Sequence, residues 1–113
     1  MTDYNLLVEA KVTFSGLHHW ARADNYLSQL HRHLFVIRAR KAITHIDRDV
    51  EFIELANEIR QYINAKFETT GDGSYNLGET SCESLALMLF QEFELQSCWV
   101  LEDDENGGGV ERC

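Results

Sequence analysis

The chain of 113 residues contains no proline. No X-Pro bond interrupts a strand or helix, so its reversals fall to glycine, asparagine, aspartate and serine. Cysteine is scarce: Cys82, Cys98 and Cys113 form an odd set without paired spacing. That excludes a disulfide framework and points to a reducing, cytoplasmic setting. No apolar run reaches spanning length and no signal-peptide pattern is present, so no membrane is expected. Bases are few, with 10 Lys and Arg against 19 Asp and Glu, a net charge of −9. Such a field repels phosphate backbones and anionic lipid surfaces, so nucleic acid is not an expected partner either. A small anionic substrate would need a local exception, such as a metal ion or a helix N-terminus.

What is present is the composition of a folded chain, 44% hydrophobic and 11% aromatic, at a length that predicts one domain over residues 1–113. Residues 4–16 alternate, with Leu6, Val8, Ala10, Val12 and Phe14 on one face and Glu9, Lys11, Thr13 and Ser15 on the other. This is a half-buried strand. After a polar stretch, a second strand is expected over about 30–44, with Arg38 and Arg40 on the face opposite Phe35, Ile37 and Ala39. Asp47 or Asp49 is expected to cap a helix carrying Phe52, Leu55, Ala56, Ile59, Tyr62, Ile63 and Phe67 at helical spacing. Residues 68–74 read as a breaker-rich loop. A second helix follows Thr80 or Ser81, and Thr80 and Glu83 have capping-box spacing. A third strand is expected over about 95–102. Asn106-Gly107 signals a hairpin to a short last strand. Trp99 reads as core and His45 as a surface residue. The order is ββααββ, an α+β antiparallel sheet with two helices on one face. The bare face and edges of such a sheet predict self-association.

The run Leu30-His31-Arg32-His33-Leu34-Phe35 carries the most chemistry. Two histidines two apart on a strand project from the same face, roughly 7 Å apart. His18 has the parity of Phe14 at the end of the first strand, with His19 as its alternative. Three imidazoles with one open position match a catalytic rather than a structural zinc. The competing reading is a chance pair on a solvated strand face.

These histidines and this element order resemble the 6-pyruvoyl-tetrahydropterin synthase and 6-carboxy-tetrahydropterin synthase family. Phe14-Ser15-Gly16-Leu17-His18 is similar to the family's F-x-A-x-H, and Leu30-His31-Arg32-His33 to its L-H-G-H. Asp49-Val50-Glu51-Phe52-Ile53-Glu54-Leu55 is similar to V-x-D-F-x-x-L, Thr80-Ser81-Cys82-Glu83-Ser84-Leu85-Ala86 to P-T-x-E-N-L-A, and Val100-Leu101-Glu102-Asp103 to V-x-E-T. The resemblance implies the tunnelling fold, a unit that oligomerises into a barrel from a trimer-based hexamer or tetramer. It implies Zn2+ on His18, His31 and His33, a pterin gripped by Glu102, and Ser81 beside that substrate. The implied activity is a pterin lyase acting on 7,8-dihydroneopterin triphosphate, with a 6-carboxy product on the deazapurine and queuosine route or a 6-pyruvoyl product.

Two departures accompany the match. The family's cysteine, four residues before its first L-H-G-H histidine, is Leu27 here. Its Asp-His dyad has no counterpart, since no histidine follows His45. Cys82, in the first turn of the second helix, is the candidate replacement proton carrier, because a helix N-terminus favours thiolate. Asp72 is the candidate base in the stretch aligned with the dyad. The alternatives are a metal- and pterin-binding protein without the usual turnover, and a metal-free oligomeric protein.

Overall fold

The computed structural model describes residues 3–113. Its elements run β1 (Leu6–His18), β2 (His31–Ile43), α1 (Phe52–Lys66), β3 (Glu68–Thr69), β4 (Tyr75–Gly78), α2 (Cys82–Glu92), β5 (Ser97–Glu102) and β6 (Asn106–Glu111). A short 3-10 turn at Tyr26–Ser28 lies between β1 and β2. The fold is α+β as expected, but the sheet is not the four-stranded antiparallel one the pattern implied. It has six strands in the order β3-β4-β1-β2-β5-β6 and is mixed, because β4 runs parallel to β1. The stretch read as a loop holds β3 and the turn of the β3–β4 hairpin. Two residues of β3 and four of β4 are too short to show periodicity.

The central pair is the long antiparallel β1–β2 ladder, in register from Leu6 opposite Ile43 to His18 opposite His31. Its alternation sorts side chains as the sequence predicts. Ala10, Val12, Phe35, Ile37 and Ala39 are buried on one face, continued by Cys98 and Val100 of β5. Both helices cover that face, α1 through Leu55, Ala56, Ile59 and Ile63 and α2 through Leu85, Ala86 and Leu89. Burying each of these leucines and isoleucines contributes about 2 kcal/mol. The other face carries Glu9, Arg38, Arg40 and Trp99, with Glu9 bonded to Arg40 (2.9 Å) and Arg38 (3.2 Å). Trp99 is therefore not core: it is 40% exposed, and its indole N–H donates to Glu111. Phe52, placed in the apolar stripe by its spacing, is exposed at the first position of α1.

The α1 cap differs from expectation, while α2 takes the second of its two expected caps. Glu51, not Asp47 or Asp49, caps α1, its carboxylate accepting from the N–H groups of Ile53 and Glu54. Asp49 instead accepts from the backbone and hydroxyl of Thr44 and closes the loop after β2. Ser81 caps α2, accepting from Ser84 N–H at 3.1 Å, so the Thr80–Glu83 capping box is not formed. The last hairpin reverses over residues 103–105, with Asp103 and Asp104 in the left-handed region (φ 56° and 58°), while Asn106 and Gly107 already belong to β6. Aspartate tolerates that region because its short side chain bonds locally. Among the described residues, no helix is long and apolar enough to cross a membrane.

Candidate metal centre

The three predicted ligands meet at one end of the helix-covered face. His18 closes β1 opposite His31, which opens β2, and His33 stands opposite Gly16. Ring centroids lie 4.7 Å apart for His18 and His31, 5.0 Å for His31 and His33, and 5.4 Å for His18 and His33. One nitrogen from each ring lies within 4.8 Å of the others. His19 is not part of this group.

Each ring is fixed from behind. His18 Nδ1 is 3.1 Å from the Thr80 carbonyl, His31 Nδ1 2.9 Å from the Gln29 carbonyl, and His33 Nδ1 2.7 Å from Asp103 Oδ2. A carbonyl or carboxylate oxygen only accepts, so each Nδ1 carries the proton and each lone pair falls on Nε2. This is the outer-shell pattern that orients imidazole ligands. His31 Nε2 is buried with no hydrogen-bond partner among the described residues, as expected of an atom reserved for an ion.

Local backbone features place these partners. The β1–β4 pairing shifts register between Leu17 and His18, and Gly78 takes φ +60° to turn the chain from β4 toward α2. The turn sets Thr80 behind His18. Gly16, where the family motif has alanine, lies under the Phe35 ring: an added Cβ would come within 2.7 Å of it. That ring in turn packs edge-on against His18 and His33. Asp103 is held by Leu34 N–H donating to its carboxylate (3.0 Å), while its own N–H donates to the Leu34 carbonyl (2.7 Å).

The site opens into a cavity of about 410 Å3 lined by His18, His31, Ser81 and Glu102, and also by Leu27, Trp20, Glu79 and Glu83. No lysine or arginine is among its lining residues. Burial holds His18 below its ordinary pKa, and the neighbouring histidines add to this, against the Thr80 carbonyl and Glu102. The hydrogen bond from His33, then that from Leu34 N–H, holds Asp103 below the usual carboxylate range.

Ser81 lies on the cavity wall. Glu102 also lines the cavity, with its carboxylate turned to the histidines. Its Oε2 is 2.8 Å from His18 Nε2 and its Oε1 3.6 Å from His33 Nε2, so both oxygens are turned to the imidazoles. Cys82 is in the first turn of α2, but its thiol is not activated: burial, with the charges of Glu102 and Glu83, pushes it up to about 12. Desolvation outweighs the helix terminus. Asp72 is on the wrong side of the sheet. It pairs with Arg32, which leaves β2 on the face opposite His31 and His33, and it also accepts from the Thr70 hydroxyl and Ser74 N–H. The Thr70 bond, with the others, holds it well below the usual carboxylate range, a poor base. Sequence reasoning missed Asp103 as the acceptor behind His33, and it read Glu83, which lines the cavity, as a cap. The Thr80 and Gln29 acceptors are backbone carbonyls, which no residue type announces.

The chain matches no protein-family model and no curated protein.

Proposed function

We propose that this chain is a zinc-dependent pterin lyase of the tunnelling-fold kind, acting on 7,8-dihydroneopterin triphosphate to give a 6-carboxy- or 6-pyruvoyl-tetrahydropterin. The observation that carries the reading is the convergence of three Nδ1-anchored imidazoles, two of which, His18 and His31, line the cavity. The donor set fits zinc: three neutral imidazoles, one of them with a buried, unpartnered nitrogen. His18, His31 and His33 would hold the ion. Bound there, it would acidify a hydroxyl of the substrate side chain and stabilise negative charge on oxygen.

The chain's own residues divide the remaining work. Trp20 and Leu27 give the cavity an apolar wall against which a flat heterocycle can lie, and the Ser81 hydroxyl supplies a polar contact at the head of α2. The bare sheet face, with Leu34, Leu101 and Trp99 between charged neighbours, supports assembly into a homo-oligomeric barrel. Incubating zinc-loaded protein with 7,8-dihydroneopterin triphosphate should release triphosphate or acetaldehyde alongside the pterin product. Complete recovery of the substrate would count against turnover.

A second reading, metal and pterin binding without the usual turnover, is favoured by three observations. Leu27, where the family has cysteine, lies in the cavity wall; Cys82 is held as a neutral thiol; and Asp72 is turned away. Pterin binding without product would establish it.

A further inference from the structure

We propose that Glu102 is the fourth protein ligand of the metal in the resting site, holding the position that a substrate oxygen takes over under the proposed function. The inference rests on the metal part of the proposed function and is independent of the pterin.

The argument begins with the contact between Glu102 and His18. His18 Nδ1 donates its N–H to the Thr80 carbonyl, so when the ring is neutral its Nε2 turns a lone pair toward Glu102. The carboxylate turns lone pairs back at 2.8 Å. Two acceptors at that distance repel unless a positive charge sits between them. The same holds for His33, whose Nδ1 is taken by Asp103 while its Nε2 lies 3.6 Å from the other oxygen of Glu102. One cation placed beside the three Nε2 atoms, that of His31 among them without a partner, could take one oxygen of Glu102 as its fourth donor. A single proton would satisfy only one contact.

The distances suit this assignment. Around a tetrahedral zinc with bonds of about 2.0–2.2 Å, neighbouring ligand atoms stand about 3.3 Å apart. The two contacts of Glu102, 2.8 and 3.6 Å, bracket that value. β5 also directs the residue there, since Glu102 pairs with Phe35 of β2, two positions from His33 on the same face. Glu83 and Glu79 line the same cavity, but no contact ties either to the imidazoles.

The test is cobalt binding to full-length, metal-stripped protein, comparing the unaltered chain with Glu102→Gln and with Glu105→Gln, a control that removes the same charge from the exposed hairpin turn. Competition with a chromophoric chelator reads affinity, and the visible spectrum reads coordination number. The expected result is a strong four-coordinate spectrum for the unaltered chain and for Glu105→Gln. Glu102→Gln should bind at least tenfold more weakly, with a changed spectrum, while far-ultraviolet circular dichroism stays native. Unchanged affinity and spectrum in Glu102→Gln would overturn the fourth-ligand assignment and leave the three-histidine centre standing. An equal loss in Glu105→Gln would overturn it too, as a general charge effect. Failure of the unaltered chain to take up cobalt would remove both this inference and the metal centre.

Discussion

His18 and His31 face each other directly across the β1–β2 ladder, the last pair of its register, with ring centroids 4.7 Å apart. Two imidazoles at the end of a ladder could splay into solvent. These are instead pinned by carbonyls of Thr80 and Gln29, from different segments of the chain. Side-chain entropy is therefore lost on folding rather than on binding, which favours a tight ion site.

Metal should raise stability, because the ligands converge only in the folded state. Zinc at about 100 times its dissociation constant should add about 2.7 kcal/mol, on the order of 10 °C in Tm for a chain of this size. His31→Ala should abolish the rise, while metal-free Tm falls modestly through loss of the Gln29 bond and the ring's packing on His18 and His33. Differential scanning calorimetry with and without zinc checks both.

Thiol labelling tests the assignment of Cys82. Cys82 and Cys98 are buried with thiols pushed up to about 12, while Cys113 is exposed. An aromatic disulfide reagent at pH 8 should modify one thiol per native chain and three in denaturant. Cys82→Ala should leave zinc affinity unchanged within about twofold, as expected of a residue with no bond to the ion. Rapid labelling of Cys82 would restore it as proton carrier.

Gly16→Ala should both destabilise the chain and loosen the metal. The new Cβ meets the Phe35 ring at 2.7 Å, and that ring packs on His18 and His33. Overpacking of this kind costs about 1–3 kcal/mol. Chemical denaturation and chelator competition should shift together.

The Glu9 cluster predicts a pH dependence of known sign. Its bond from Arg40, with Arg38 beside it, holds Glu9 below the ordinary 4.5 in the folded chain. A carboxylate depressed on folding adds stability above its unfolded pKa, and that stability is lost as pH falls through the lower folded value. Glu9→Gln should thus lower Tm at pH 7, and the gap should close as pH falls below 4.5 through the lower folded value. Molar salt should shrink it as well, since the group is exposed.

The strand faces and both helices were legible because their periods repeat over long segments: thirteen residues in β1, fifteen in α1. The three histidines were legible for the same reason, since parity and position at element ends fix direction. β3 and β4 were not, because a two-residue and a four-residue strand hold less than one full pattern. Ser81 and Glu51 had close competitors for their caps, and only the path of the incoming chain decides between neighbours. For Glu102 the motif gave the strand position, which puts it on the cavity wall, but not its contacts with His18 and His33. For Cys82 the helix terminus was legible, while the burial and the two nearby carboxylates that push its thiol up were not.

Zinc content after metal stripping and reloading, measured by atomic absorption on the unaltered chain and on His18→Ala, His31→Ala and His33→Ala, tests the centre most directly. One zinc per chain, lost in each single variant while the fold persists, is the predicted result. A chain that retains no zinc, or variants that keep a full equivalent, would contradict it.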